Sequence, residues 1–383
     1  PERLHQNPSG RRALARLMHP FLRIFLRINW VLLGLMAVLL IYGVYAIHSA
    51  TWMRDQHFAK SQATWILICL PMFFVVSLVD YRWVRFGAIP LYVLSILTLI
   101  ATMFLGEKRY GARSWLNLGP ASFQPSQLAV IAGIMTIALF LSRTRTMPAF
   151  LRILCCGAIV GAPWLMILIQ PDLGSCIVWV PVILGMMFVG HIPKRWLILM
   201  LVIAFALVPL VVHFGLKPYQ YSRITTFLNP DADPQGDGWN ITQSLIAIGS
   251  GGFTGKGYKA PNTQNALGFL PSTIVHNDFI FSVMGEQHGF LGGIILIAAL
   301  TLLFIIMLGI ALEAEDDLGR LLATGITLLL FTHTFMNLGM TISLTPITGL
   351  PLPLVSYGGS FIMITLLSFG LLQSIWIYRR SPR

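Results

Sequence analysis

Ten stretches of the chain are nearly unbroken runs of apolar residues, at roughly 29–48, 63–79, 86–105, 126–142, 151–169, 173–190, 195–213, 279–311, 321–343 and 355–377. About 20 such residues in a helix cross a hydrocarbon layer of ~30 Å. The pattern therefore predicts an all-α polytopic membrane protein of about ten transmembrane helices, with both termini on one side. The first run is too long, and too poor in small residues at a cleavage position, for a removable signal. It is expected to be a retained span.

One connection is long. Residues 214–277 form a large loop between spans seven and eight, a length that goes with function or with disorder. Disorder is disfavoured, because ITQSLIAIGSGGF (241–253) has an amphipathic helical pattern and the loop is rich in Trp, Tyr and Phe. A structured cap is expected. Its GSGGFTGKG (249–257) departs from a nucleotide phosphate loop, since Ser250 stands at the required first Gly and Gly257 follows Lys256 where Ser or Thr is needed. A Gly-rich backbone beside Lys256 and Lys259 remains a candidate cradle for a diphosphate, with a flexible turn as the alternative.

Composition sets the solvent: 56% hydrophobic and 10% charged residues are far from a soluble domain. The net charge of +12 is scattered along membrane flanks. Membrane lipid, and no nucleic acid, is the partner this implies. Of the 26 Lys and Arg, 17 fall in 1–28, 80–85, 143–152, 191–195, 312–320 and 378–383. The positive-inside rule then predicts cytoplasmic termini and an extracytoplasmic 214–277 loop. In RRALARLMHPFLRIFLR (11–27) five Arg alternate with apolar residues at helical spacing, as suits a helix on the inner headgroup surface or a simple positive stop. Cys69, Cys155, Cys156 and Cys176 all lie inside apolar runs, which favours packing over disulfide or metal chemistry. The organisation expected is a basic cytoplasmic segment (1–28), one transmembrane domain (29–378) and a short cytoplasmic tail (379–383).

The chain has only 14 Asp and Glu, so those at membrane depth are informative. Asp172 stands in QPDLGS between spans five and six; Asp278 opens span eight and Glu286 follows on the same run. Residues 279–312 as one helix extend roughly 50 Å, more than the hydrocarbon thickness. Their N-terminal third is expected to line a water-accessible cavity beneath the outer loop. Asp278 fits a helix N-cap as well as a catalytic acid, and Glu286 fits a locked ion pair. His276 and His288 combine with these acids in no standard metal spacing. Chemically, an outer carboxylate in a partly dry pocket has a raised pKa and takes a proton from a sugar hydroxyl, while nearby Arg or Lys steadies a departing phosphate.

The segments GARSWLNLG and SFQPS (111–126), QPDLG (170–174), FLNPDADPQGDGWNITQSLIAIGSGGFTGKG (227–257), HNDFIFSVMGEQHGFLGG (276–293) and NLGMTISLTPITGLPLPLVSYGGSF (337–361) resemble the SEDS family of shape, elongation, division and sporulation proteins. TPITGLPLPLVSYGG is closer to the RodA form of that motif than to the FtsW form. The likeness runs from about residue 45 to the C-terminus, its motifs in order.

The resemblance implies a RodA-like peptidoglycan glycosyltransferase of the cytoplasmic (inner) membrane, which polymerises lipid II on the outer face with a class B penicillin-binding protein and the elongation machinery. It makes Asp278 the presumed catalytic residue. Arg113, Arg223 and Lys256 become candidates for the diphosphate leaving group, with Asp172, Glu286 and Ser356 as further substrate-binding candidates. Asp172 is expected either to pair with an Arg of a neighbouring outer loop or to bind substrate. Pro351, Pro353, Ser356, Tyr357, Gly358 and Gly359 are expected to form an outer re-entrant turn. No organic cofactor is implied, and a divalent cation could share the phosphate charge.

Three positions depart from the family pattern. Gln127 and Val130 stand where Glu and Lys are usual after FQPS, and Ser360 is followed by Phe361 in place of a second Ser. The readings left open are a flippase for an undecaprenyl-linked sugar such as lipid II and a weakly catalytic scaffold for the transpeptidase.

Overall fold

A computed structural model describes residues 25–53, 57–109, 112–117, 119, 122–210, 218–229, 233 and 236–379. The basic helix expected over 11–27 lies outside the described residues except at 25–27, as does the tail after Arg379.

Each apolar run becomes a helix, because a bilayer leaves backbone N–H and C=O groups no partner but one another. The first half comprises α1 (Trp30–Thr51), α2 (His57–Leu78), α3 (Val84–Leu105), α4 (Pro125–Arg143), α5 (Ala149–Ile169), α6 (Leu173–Val189) and α7 (Lys194–Leu210). The outer loop contributes α8 (Pro218–Leu228) and α9 (Asp237–Ser250), the latter matching the amphipathic stretch foreseen at 241–253. The last three are α10 (Ile280–Glu313), α11 (Asp317–Thr341) and α12 (Gly359–Tyr378). Eight of the described helices are long and apolar enough to span; α6 and α7, of 17 residues each, make up the ten.

Local signals fix the helix starts. Asn29 Oδ1 accepts from Leu32 N at 3.0 Å, and Asp316 Oδ1 accepts from Gly319 N at 2.9 Å; these caps use two otherwise orphan amides. Pro125 opens α4, where its missing N–H costs nothing.

The helices α4, α11 and α12 form the centre, with 78%, 78% and 83% of their apolar windows buried, against 22% for α2 and α3 at the lipid-facing edge. Between α3 and α4 a small antiparallel sheet projects at the end of the bundle where α12 begins, with strands Glu107–Arg109, Ala112–Asn117 and Ser122–Phe123 in that order.

The run 280–313 is not one straight helix. Gly289 adopts φ 64 and ψ −162 and breaks it. A Cβ there would meet the backbone of Phe253 and Gly255, so the loop after α9 presses directly on the break. The stretch Ile280–Gln287 is buried throughout. This corrects the expectation of a water-lined N-terminal third: protein, not water, covers it.

Candidate active site

Asp278 is not a helix cap. The helix begins at Ile280 with Phe279 at the cap position, and the Asp278 amide closes a turn by donating to Ile274 O at 2.8 Å. This turn is clamped to the Pro/Gly-rich segment between α11 and α12. Tyr357 N donates to His276 O at 3.0 Å, and Ser356 Oγ donates to Asn277 O at 2.6 Å while accepting from Leu352 N at 2.9 Å. From α11, Asn337 Nδ2 donates to both Asp278 O (3.1 Å) and Leu350 O (2.8 Å). Gln62 of α2 closes the far side, donating to Ser356 O and accepting from Gly358 N, each at 3.2 Å.

The carboxylate that results is buried, with a glycine as its neighbour. Asp278 is 7% exposed. Gly349, at φ 70, presents only its Cα, and a Cβ there would stand 3.7 Å from Asp278 Oδ2. Arg223 Nη1 of α8 donates to Ile347 O at 3.2 Å, so Arg223 and Asp278 approach the same three-residue stretch. The segment is an irregular re-entrant passage, as expected, and Leu354 within it holds φ 66. That conformation costs a branched residue roughly 1–2 kcal/mol, supported here by complete burial of its side chain.

The other predicted residues separate into distinct places. The Asp172 carboxylate caps α6, accepting from Ser175 N (3.1 Å), Ser175 Oγ (2.8 Å) and Gln124 Nε2 (3.0 Å). Among the described residues no arginine pairs with it, and the side chains of the neighbouring-loop arginines Arg109 and Arg113 lie outside the described residues. Its loop nonetheless touches the site, since Gly174 packs against Thr348 O. Ser356 is 2% exposed and wholly engaged with backbone, so it positions the Asp278 turn and does not face a substrate.

Glu286 and Lys256 form an ion pair at 2.6 Å, and Glu286 also accepts from Gln264 N and Ser250 Oγ. Lys256 N and Gly257 N meanwhile donate to Glu286 O and Gln287 O. The glycines of GSGGFTGKG allow the loop to lie on the backbone of α10, a packing task that corrects the diphosphate-cradle reading. Beyond it, Tyr258 stacks on Tyr45 at 4.2 Å, and burial together with that neighbour pushes its hydroxyl pKa up. The side chain of Arg113 lies outside the described residues; its strand joins, through Ser122 O, the Ser360 hydroxyl at 2.9 Å.

His276 and His288 have different surroundings. His276 stacks on Phe58 at 4.0 Å, whereas His288 lies among Tyr42 and Tyr45. Sequence reasoning missed Asn337, Gln62, Phe58 and Gly349. The signal for Asn337 was present, as an amide near the end of a spanning helix.

The family described as "Cell cycle protein", covering FtsW, RodA and SpoVE, matches residues 23–381. The peptidoglycan glycosyltransferase MrdB of Escherichia coli (strain K12) is 36% identical over 91% of this chain and 93% of its own length. The peptidoglycan glycosyltransferase RodA of Treponema pallidum (strain Nichols) is 31% identical over 91% and 97%. Among solved structures, a chain from a peptidoglycan synthase complex described as coordinating polymerization and crosslinking is 30% identical, with a TM-score of 0.80 over 93% of this chain and 99% of that one. The rod shape determining protein RodA of Thermus thermophilus, 27% identical, superposes with a TM-score of 0.70 over 93% and 98%. Ordered motifs, an all-α polytopic architecture and matches spanning nearly the whole length agree, and the chain belongs to the FtsW, RodA and SpoVE family, the SEDS family of membrane proteins.

Proposed function

We propose that this protein is a peptidoglycan glycosyltransferase that polymerises lipid II at the outer face of the cytoplasmic membrane during cell elongation, with Asp278 as general base. The observation that carries the reading is the setting of Asp278. Its carboxylate sits beside the bare Cα of Gly349, on a turn held by Asn337 and Ser356. A base must be fixed to within hydrogen-bond reach of the proton it removes, and four side-chain and backbone clamps supply that precision.

In the reaction, Asp278 accepts the proton of the acceptor sugar's hydroxyl as the oxygen attacks the anomeric carbon. The bond from that carbon to the lipid diphosphate breaks on the opposite face, and the configuration inverts. The leaving diphosphate gains charge. Arg223, beside the same segment, and Arg113, from the outer sheet, are assigned to it, because planar guanidinium groups meet phosphate oxygens bidentately.

Both termini are assigned to the cytoplasm on the placement of 17 of the 26 basic residues. The exposed apolar face of α10 and α11, with Ile294, Ile305, Leu308 and Phe335, is the surface assigned to a class B penicillin-binding protein. The test is polymerisation of fluorescent lipid II by the protein co-expressed with its cognate transpeptidase, with crosslinking blocked. A glycan ladder that Asp278→Asn abolishes, while the variant stays folded and partner-bound, supports the reading. Equal ladders from both proteins overturn the role of Asp278, and lipid II movement between leaflets without any ladder identifies a flippase.

A further inference from the structure

The end of the bundle opposite Asp278 carries a polar cavity, of about 480 Å³, between the start of α3, the end of α4 and the turn joining α10 to α11. Its lining mixes cations with carboxylates: Arg82, Arg85, Arg143, Glu315, Asp316 and Asp317, with Leu139, Leu318 and Ser142. Most of these charges are already spent. Arg82 lies 2.7 Å from Glu315, 3.7 Å from Asp80 and 4.0 Å from Asp316. Asp316 also caps α11 and accepts from Tyr81 Oη at 2.8 Å. Asp317 is shared by Arg145 at 3.5 Å and Arg320 at 3.3 Å.

Two lining cations remain outside this network. Arg143, in the last turn of α4, joins no ion pair among the described residues, and Arg85, in the first turn of α3, has only the ring of Phe86 at 4.8 Å. The lining itself balances three cations against three carboxylates, and once the partners Asp80, Arg145 and Arg320 are counted the cluster keeps one net positive charge, on the side of Arg85 and Arg143. Its depth is set by its neighbours. Trp83 and Phe86 are 63% and 60% exposed on either side of Arg85, and exposed aromatics at the end of an apolar helix mark the headgroup level. Anionic groups held at that depth belong to lipids, and basic pockets between transmembrane helices suit their phosphates.

We propose that this cavity binds the headgroup of one anionic glycerophospholipid from the leaflet opposite the Asp278 site. The phosphate diester lies between Arg85 and Arg143, the acyl chains pass over Trp83 and Phe86, and the headgroup hydroxyls donate to Glu315 and Asp317. The requirement for both an anion and hydroxyl donors matches the mixed lining, and a glycerol headgroup meets it. A lipid here ties α3 and α4 to the hinge between α10 and α11, the helix pair whose other end carries Asp278 and Asn337.

The experiment uses the full chain in nanodiscs of phosphatidylcholine doped with phosphatidylglycerol, read by native mass spectrometry of retained lipid. Arg85→Gln/Arg143→Gln is compared with Lys194→Gln/Arg195→Gln, which removes the same charge from the same face outside the cavity. At about fivefold per basic residue at a membrane surface, the first double variant is expected to bind phosphatidylglycerol about thirtyfold more weakly and the second to bind as wild type. Equal loss in both variants reduces the effect to general surface charge and overturns the site. So does a wild type that retains phosphatidylcholine equally. Competition by inorganic phosphate at low millimolar concentration would show a free-anion site, and displacement only by an acidic peptide would show a protein contact; either result also overturns it. Because Arg85 and Arg143 are exposed, an unchanged melting temperature is expected and verifies that the variants fold.

Discussion

The Glu286 carboxylate is fully buried and receives the Lys256 ammonium at 2.6 Å. It is also the acceptor for Gln264 N at 2.8 Å, so one side chain fastens two separated parts of the outer loop to α10. Breaking a buried pair by removing one partner costs about 3–5 kcal/mol, because the remaining charge keeps its desolvation penalty. Glu286→Ala is expected to lose stability of that order in a melting assay of the solubilised protein. Lys256→Met is expected to lose at least as much, since it leaves a fully buried carboxylate without its counter-ion, whereas Glu286→Ala leaves a partly exposed ammonium. The double variant should lose less than the sum. If Lys256 instead held a substrate phosphate, Lys256→Met would raise KM for lipid II at unchanged melting temperature.

Asn337 is the joint between helix α11, the Asp278 turn and the re-entrant segment. Replacing it with Ala strips the donors from two buried carbonyls, at about 1–3 kcal/mol each. Asn337→Asp is harsher, placing a carboxylate against Asp278 O and Leu350 O. Both variants should fold at reduced temperature, and polymerisation by Asn337→Asp should fall more than tenfold with kcat affected more than KM. An effect on KM alone would place Asn337 in substrate binding and not in positioning.

Gly349 serves two needs at once, a φ of 70 and a side-chain-free approach of its Cα to Asp278 Oδ2. Gly349→Ala meets the carboxylate only at ordinary contact distance, so its cost is the left-handed backbone, about 1 kcal/mol. Gly349→Leu adds a side chain over the approach itself. The expected outcome is a modest drop in activity for Ala and near-complete loss for Leu, at similar melting temperatures. Equal activity of the two would mean that substrate reaches Asp278 from another side.

These contrasts mark what the sequence made readable. Run length and turn residues act locally, so the ten spans, the helix over 241–253 and the irregular passage at 351–359 could be read from composition and spacing. The small sheet escaped because its strands are short and polar, with Gly and Pro around them. The break at Gly289 escaped because it answers to the chain 34 residues earlier, at Gly255, and no local pattern announces such a contact. The same holds at the site. Asp278 and Glu286 look equivalent on paper, two acids at the head of one run, and only the tertiary contacts separate a carboxylate beside Gly349 from one sealed by Lys256 and Gln264.

Gln127 and Val130 lie one helical turn apart on α4 and are 3% and 2% exposed, in the most enclosed part of the bundle. Side chains at that spacing on one helix are neighbours. A lone ammonium from Val130→Lys would be buried without a counter-ion, and a lone carboxylate from Gln127→Glu likewise, each costing several kcal/mol. Together they can neutralise one another. The single variants are therefore expected to express poorly or melt early, and Gln127→Glu/Val130→Lys to regain at least half of the lost stability, a coupling that a thermodynamic cycle on melting data measures directly. If the double variant is the least stable of the three, the space around Val130 has closed over apolar contacts and no longer admits a charged pair. If it is restored and also polymerises lipid II faster than wild type, the neutral pair at 127 and 130 is what holds this chain's activity down.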